Sequence, residues 1–226
     1  MRINTLGLIT YSHPHLKTEQ ALLRLQKKGM KLKIYALPFA AREPRKTLFS
    51  HRPDQRKSVH PSIIAKAEGI PYMECETDRE IDGTCEAYLV LAGKILSPEC
   101  VKGKKILNCH PGIIPAVRGL DAFKWAVWGK HPLGVTLHYI DETIDGGEII
   151  AIVPTPVYST DTPEVLARRH YENELSVQCD FEYFLEHPVN EYKDIEAGEA
   201  RRRMGNKTEM EMMEGFQEYI RLHGKH

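Results

Sequence analysis

The sequence predicts an α/β fold in which a mostly parallel sheet carries helices on both faces. Segments 3–10, 16–30 and 32–39 have the patterns of a strand, a helix and a strand. Such a βαβ unit makes neighbouring strands parallel, and the strands of a helix-covered parallel sheet are apolar throughout. Segment 87–92 has this character and is expected to be central. A chain of 226 residues is long enough to bury the core of one such domain.

The remaining elements follow from apolar periodicity and from residues that begin or end helices. The expected helices span 60–68, 119–129, 162–186 and 209–222, and the expected strands span 70–73, 105–109, 134–140 and 148–153. Thr162 is expected to cap its helix, with Pro163 at the first helical position. A short connection that contains glycine joins the last two strands and predicts an antiparallel addition to the sheet. We expect one Rossmann-like domain over 1–187 and a charged helical tail over 188–226.

Composition and charge limit the kinds of partner. The 31 basic and 31 acidic side chains give a formal charge of zero, which argues against a nucleic-acid binder because such affinity depends on a basic surface. No apolar run approaches the roughly 20 residues that cross a membrane. The first residues make a poor signal peptide, so we expect a cytoplasmic protein. Five scattered cysteines without a CxxC pair argue against disulfides and a zinc site. The basic segment 40–59 is expected to be a long mobile loop.

Three polar residues have the types and positions that oxyanion stabilisation and proton transfer require. Asn108 and His110 lie two residues apart at the end of a strand, so their side chains share one face. Ligands bind at the carboxyl ends of the strands in such sheets. Asp145 lies in a turn followed by two glycines. An amide, an imidazole and a carboxylate that converge there can stabilise an oxyanion and relay a proton. A helix cap, a tight loop and a hairpin turn are the structural alternatives, and the residues alone indicate only an acyl-transfer or hydrolytic site.

Four segments of the chain resemble the folate-dependent formyltransferase family. They are Leu91-Ala-Gly93 with Ile95-Leu-Ser-Pro98, then ILNCHPGIIP at 106–115, GVTLH at 134–138 and DETIDGG at 141–147. The family includes glycinamide ribonucleotide formyltransferase, the catalytic domain of methionyl-tRNA formyltransferase and sugar N-formyltransferases. The resemblance is strong over about residues 86 to 157 and holds elsewhere in outline. It implies a small-molecule enzyme that uses 10-formyltetrahydrofolate as co-substrate and needs no metal.

The resemblance also implies roles for individual residues. Asn108 would donate a hydrogen bond to the tetrahedral oxyanion, His110 would assist and handle protons, and Asp145 would orient His110 and pass a proton to the leaving nitrogen. The pterin of the donor would lie against the segments that contain Leu91, Ala92, Gly93, Ile95, Leu96, Ile140, Asp141 and Ile144. The alternative for the apolar members of that set is ordinary core packing. Cys109 is expected to pack on the opposite side from its two neighbours.

The acceptor is inferred from departures from the family pattern. The ribonucleotide enzyme has a Gly-Ser-Asn phosphate loop after its first strand, whereas segment 10–15 here has no glycine. The tRNA enzyme needs a further C-terminal domain, whereas 36 residues follow Asn190. The formyltetrahydrofolate hydrolases carry an extra N-terminal domain, whereas this sequence enters its first strand at once. A sugar N-formyltransferase acting on a nucleotide-linked amino sugar is therefore expected, and a ribonucleotide or small-amine enzyme and an inactive binding homologue are the alternatives.

Several residues are candidates for holding this acceptor. The substrate candidates are Tyr11, His13, His15, Arg118, Gly119 and His138. The basic loop from Arg42 to Lys57 is a candidate for holding a diphosphate, with a solvated charged surface as the alternative. A structural histidine is the alternative for His138. A metal site at His13 and His15 is not favoured, because no further ligands are evident. The charged tail makes a homodimer reasonable.

Overall fold

A seven-stranded sheet forms the centre of the computed structural model, which describes residues 3–40, 46–141, 147–189, 192 and 195–225. Its strands, together with a separate two-stranded pair, are β1 (Thr5–Tyr11), β2 (Lys31–Leu37), β3 (Tyr72–Glu74), β4 (Ala87–Val90), β5 (Ile106–His110), β6 (Arg118–Gly119), β7 (Gly134–Tyr139), β8 (Ile149–Pro154) and β9 (Ala200–Arg201). The main sheet has the order β3-β2-β1-β4-β5-β7-β8, and β6 pairs with β9. The first five strands are parallel, and β7 and β8 are antiparallel additions. The predicted fold class is confirmed.

Helices cover both faces of this sheet. The described residues form α1 (Leu16–Gln26), α2 (Pro61–Glu68), α3 (Pro98–Val101), α4 (Ala122–Trp128), α5 (Pro163–Cys179), α6 (Phe181–Glu186), α7 (Asn206–Glu214) and α8 (Phe216–His223), with a 3₁₀ helix at Asp78–Glu80. In β1, Leu6 and Leu8 pack with α1, α2 and α5, whereas Ile9 packs on the other side with α3. The strand is buried on both faces because its side chains alternate between two helical layers.

Several predicted boundaries are corrected by local contacts. Thr162 caps α5 as predicted, its side chain accepting a hydrogen bond from the Val165 amide. The helix expected to run from there to residue 186 is interrupted at Asp180 and continues as α6. The final helix is likewise divided by Gly215 into α7 and α8. The short α3 and the β6–β9 pair were not predicted, because each is too short to show a periodic pattern.

The basic segment 40–59 is a loop where it is described, but the expectation of mobility is wrong for residues 46–59. Phe49 is buried next to Phe123 of α4. The Arg52 guanidinium lies 2.7 Å from the Glu174 carboxylate on α5. Gln55 accepts hydrogen bonds from the start of α1. Residues 41–45 lie outside the described residues. This part of the segment is therefore held by partners that are distant in the chain.

The two C-terminal helices pack on α4. Met212, Phe216 and Tyr219 join a hydrophobic cluster with Phe123 of α4. The ammonium of Lys124 and the carboxylate of Glu209 form an ion pair inside this cluster. The tail is thus helical, as expected, and its contact with the rest of the chain is apolar and buried. The boundary at residue 188 stays a prediction. No helix among the described residues is long and apolar enough to span a membrane.

Candidate active site

Strand β5 carries the predicted catalytic residues at its carboxyl end. Cys109 is buried in the core between the sheet and α5, with its Sγ 3.5 Å from the Glu174 carbonyl oxygen. Burial raises the pKa of this thiol well above its usual value, so it is not a thiolate nucleophile. Since strand side chains alternate, Asn108 and His110 lie on the other face, as predicted.

Asn108 is oriented by a histidine on the neighbouring strand. Its Nδ2 lies 3.2 Å from Nε2 of His138, which stands opposite it in the β5–β7 pair. Nδ1 of the same ring is 2.9 Å from the Tyr139 carbonyl oxygen. A carbonyl only accepts, so Nδ1 carries the hydrogen and Nε2 accepts from the Asn108 amide. This bond uses one of the two amide hydrogens of Asn108 and fixes the plane of the group.

His110 is buried and points at the loop that follows its own strand. Its Nε2 donates to the Val117 carbonyl oxygen over 2.9 Å, which fixes the orientation of the ring. Gly112 allows this close approach. A Cβ at that position would lie 2.9 Å from Nε2 and 2.7 Å from the Val117 oxygen, which is too close for either atom. The loop therefore closes over the imidazole only because residue 112 is glycine.

Two residues that were not predicted hold the same loop. Thr136 donates from Oγ1 to the Gly112 carbonyl oxygen over 2.7 Å and accepts from the Ile114 amide over 3.1 Å. His170 of α5 donates from Nε2 to the Pro111 carbonyl oxygen over 3.1 Å. Burial lowers the pKa of His170 to about 4, so the ring is neutral near pH 7. Thr136 stands directly opposite His110 in the β5–β7 pair. Knowledge of the strand register would therefore have identified Thr136 as a neighbour of the site.

A buried charge cluster lies one helical turn beyond His170. The carboxylate of Glu174 is 2.8 Å from the Lys17 ammonium and 2.7 Å from the Arg52 guanidinium. Burial alone would raise the pKa of Glu174, but the two cations outweigh it and lower the pKa to about 2. Burial, with the same cations, lowers the pKa of His15 to about 3. The sequence signal for Glu174 is its spacing of four from His170 and from Gln178, which places three polar residues on one helix face.

The amino end of α1 is occupied by acceptors of the chain itself. The Leu16 amide donates to the backbone carbonyl oxygen of Gln55 over 2.8 Å, and the Lys17 amide donates to the side-chain Oε1 of Gln55 over 3.0 Å. The Thr18 amide donates to Nδ1 of His15 over 3.3 Å. A helix amino terminus binds phosphate through these same N–H groups. Here they already have partners, and the predicted substrate residue His15 is one of them.

Tyr11 and His13, two of the predicted substrate residues, form an aromatic group with Phe39, which was not predicted. The His13 ring is stacked on Phe39 with 4.3 Å between centroids, and Tyr11 meets Phe39 edge-on at 5.2 Å. Phe39 is 43% exposed. We call these three residues the Phe39 cluster. It lies at the same edge of the sheet as the ends of β1 and β2.

Arg118 and Gly119 contact the C-terminal part of the chain. The Arg118 guanidinium donates two hydrogen bonds, of 3.1 and 2.8 Å, to the Gly198 carbonyl oxygen. Gly119 has a φ of +87° and lies directly beneath the Arg201 backbone. We call residues 198–204 the strap. A role of Arg118 and Gly119 in substrate binding stays a prediction, and the structure gives both residues a partner in the strap.

The residues predicted to contact the folate differ in how deeply they are buried. Leu91 and Leu96 are buried in the two core layers, whereas Ile95 is 73% exposed. Ala92 and Gly93 follow the end of β4, and Ile140 and Asp141 follow the end of β7. Asp145 and Ile144 lie outside the described residues. The structure therefore joins Asn108 to His138 and places His110 on the same face of β5, and it leaves the carboxylate of Asp145 untested.

Two surface cavities lie away from this site. Their volumes are about 120 and 370 Å³, and both are lined by Met30 and Lys31 at the amino ends of β1 and β2. Asn108 and His110 lie at the opposite edge. Among the described residues no group of three or more His, Cys, Asp or Glu side chains could hold a metal ion.

Known proteins resemble this chain in sequence and in fold. A family model described as formyl transferase matches residues 51–180. Phosphoribosylglycinamide formyltransferase of Haemophilus influenzae is 35% identical over 94 residues, which are 39% of this chain and 44% of that protein. The match thus spans less than half of this curated relative.

Solved structures extend the likeness over most of the chain. A 4-N formyltransferase from Francisella tularensis superposes with a TM-score of 0.59 at 14% identity, covering 92% of this chain and 86% of that one. Phosphoribosylglycinamide formyltransferase from Anaplasma phagocytophilum gives 0.54 at 22% identity, covering 78% and 83%. At these identities the structures establish the fold alone.

Proposed function

The chain belongs to the folate-dependent formyl transferase family, and on that premise we propose that it transfers a formyl group from 10-formyltetrahydrofolate to the primary amine of a nucleotide-linked amino sugar. The observation that carries the transfer step is the pair of Asn108 and His110 at the end of β5, with the Asn108 amide held by His138. Both side chains are fixed by neighbouring groups before any substrate arrives, which is what electrostatic stabilisation of a transition state requires.

The reaction forms one bond and breaks another at the formyl carbon. The acceptor amine attacks this carbon, and the carbonyl oxygen becomes negative in a tetrahedral intermediate. The Asn108 amide would donate its second hydrogen to that oxygen, a contribution that is typically worth about 3–4 kcal/mol of barrier. The bond to N10 of the folate then breaks. The proton lost by the amine goes to N10, with the His110 imidazole and the Asp145 carboxylate as the proposed carriers.

The assignment of the acceptor rests on the amino end of α1. A phosphorylated ribose would need an anion site there, but Gln55 and His15 already accept the hydrogen bonds of the three amides. The nearby cations Lys17 and Arg52 are paired with Glu174. These contacts favour an acceptor that is held elsewhere. Glycinamide ribonucleotide is the second candidate, because the Haemophilus relative has the name of an enzyme that formylates it.

An acceptor panel tests the proposal. The purified chain is incubated with 10-formyltetrahydrofolate and either amino-sugar nucleotides or glycinamide ribonucleotide, and tetrahydrofolate release and product mass are followed. We expect a formylated sugar nucleotide from the wild type and about 10²- to 10³-fold slower formation by Asn108→Ala, whose folding is checked by thermal melting. Product from glycinamide ribonucleotide alone would transfer the assignment to the second candidate. No product from any acceptor would refute the transfer activity and leave an inactive binding homologue.

A further inference from the structure

The Phe39 cluster is an exposed aromatic surface at the ligand-binding edge of the sheet. Tyr11 is the last residue of β1 and pairs with Leu37, the last residue of β2, so His13 and Phe39 each lie two residues beyond a strand end. Ligands bind at the carboxyl ends of the strands in open α/β sheets. The Phe39 ring stacks on His13 and is still 43% exposed, so part of its surface is accessible to a flat ring of a ligand.

The cluster is held in a fixed arrangement. The Ser12 amide, between Tyr11 and His13, donates to the Leu37 carbonyl oxygen over 2.7 Å and joins the two chain segments. Its hydroxyl is within hydrogen-bond distance of the Glu74 carboxylate and the Tyr72 hydroxyl. The backbone beneath the rings is thereby anchored to β2 and β3. A surface ordered in this way loses little conformational entropy when a ligand binds.

The distance from the cluster to Asn108 suits a long acceptor. The strand order β2-β1-β4-β5 puts β1 two strands and β2 three strands from β5. At about 4.8 Å for each strand spacing, the strands whose ends carry the rings lie roughly 10–15 Å from β5. The first amides of α1 are bonded to Gln55 and His15, so they are not an anchor for a ligand at this edge. The Phe39 cluster offers such a ligand an aromatic surface instead.

We infer that the Phe39 cluster binds the nucleobase of the acceptor by stacking, with the amine of the same molecule reaching Asn108. This inference rests on the proposed function, because it names the part of the acceptor that the chain holds far from the reacting amine. A sugar nucleotide has such a base, whereas glycinamide ribonucleotide has no aromatic ring. Stacking of a base on an aromatic side chain corresponds to about a 5- to 150-fold effect on affinity.

Binding without folate tests this inference apart from catalysis. Uridine diphosphate and thymidine diphosphate are titrated into the chain by calorimetry, and saturation-transfer NMR identifies which ligand protons contact the protein. We expect contact at the base protons and a Kd about 5- to 150-fold weaker in Phe39→Leu, which keeps an apolar side chain but removes the ring. Phe39→Tyr is expected to keep wild-type affinity. Ribose 5-phosphate, which has no ring to stack, is expected not to displace the diphosphates.

Tyr183→Leu is the matched control. Tyr183 is 57% exposed and stacks on His187 with 4.6 Å between centroids, but it lies on α6 at the other edge of the sheet. Its loss should leave nucleotide affinity unchanged. Absence of nucleotide binding to the wild type, or unchanged affinity in Phe39→Leu with a normal melting curve, would overturn the inference. Nucleotide binding without formyl transfer would refute only the proposed function, and formyl transfer with an unchanged KM in Phe39→Leu would refute only this inference.

Discussion

Replacement of Lys124 by methionine is expected to destabilise the chain strongly, because it leaves a buried carboxylate without its cation. Lys124 and Glu209 have side-chain exposures of 2% and 0%. The other carboxylate oxygen of Glu209 accepts from the Leu48 amide over 2.7 Å, so one group joins α4, α7 and the loop at residue 48. Removal of one partner of a buried pair typically costs about 3–5 kcal/mol of folding free energy. For a chain of this length, each kcal/mol lowers Tm by about 2–4 °C, which gives a decrease of about 6–20 °C.

Urea unfolding followed by circular dichroism measures this loss. The double variant Lys124→Met with Glu209→Gln should recover most of it, because glutamine removes the charge and keeps an acceptor for Leu48. The control is Lys130→Met, which breaks an exposed pair with Glu218 and should cost no more than about 1 kcal/mol. A stability of Lys124→Met within about 1 kcal/mol of the wild type would refute the reasoning.

The same pair predicts the direction of the pH dependence. Burial alone would raise the pKa of Glu209, but the bonds from Lys124 and Leu48 outweigh it and lower the pKa. A carboxyl with a lowered pKa in the folded state stabilises the fold above its unfolded pKa and loses that contribution as the pH falls through its folded pKa. The difference between the wild type and Lys124→Met should therefore decrease below about pH 4.5.

Three further predictions concern the site and its supports. Asn108→Ala should lower kcat by about 10²- to 10³-fold in the tetrahydrofolate-release assay with little change in Tm, and wild-type turnover would contradict its role. Gly112→Ala should lower kcat and shift the His110 ring signals in NMR, because the added Cβ would lie 2.9 Å from Nε2; unchanged signals would show that the loop adapts. Glu174→Gln should lose about 3 kcal/mol at pH 7, since a pKa of about 2 against 4.5 in the unfolded chain stabilises fully above pH 4.5 and disappears as the pH falls to 2. Urea unfolding at pH 7 and pH 3 should show the deficit shrinking.

Local patterns were sufficient for the seven strands of the main sheet and for part of the site. Period-two alternation correctly placed Asn108 and His110 on one face and Cys109 on the other, because strand geometry depends only on neighbouring residues. Long-range pairing was not visible in the same way. Arg52 lies in a basic segment that resembles a solvated loop, yet its partner Glu174 is 122 positions away. Arg118 has the chemistry of a phosphate ligand, yet its guanidinium meets a backbone carbonyl, and no composition argument identifies such a partner.

The strap has a consequence for the order in which the site is assembled during translation. Val117, whose carbonyl holds His110, is followed by Arg118, and the Gly198 carbonyl that anchors Arg118 is 80 positions further along the chain. At about 5–20 residues per second, the ribosome needs roughly 4–16 s to add that length. The strand end that carries Asn108 and His110 is thus synthesised seconds before the segment that fixes its loop. The contact between Arg118 and Gly198 can therefore form only after the rest of this strand end has been synthesised.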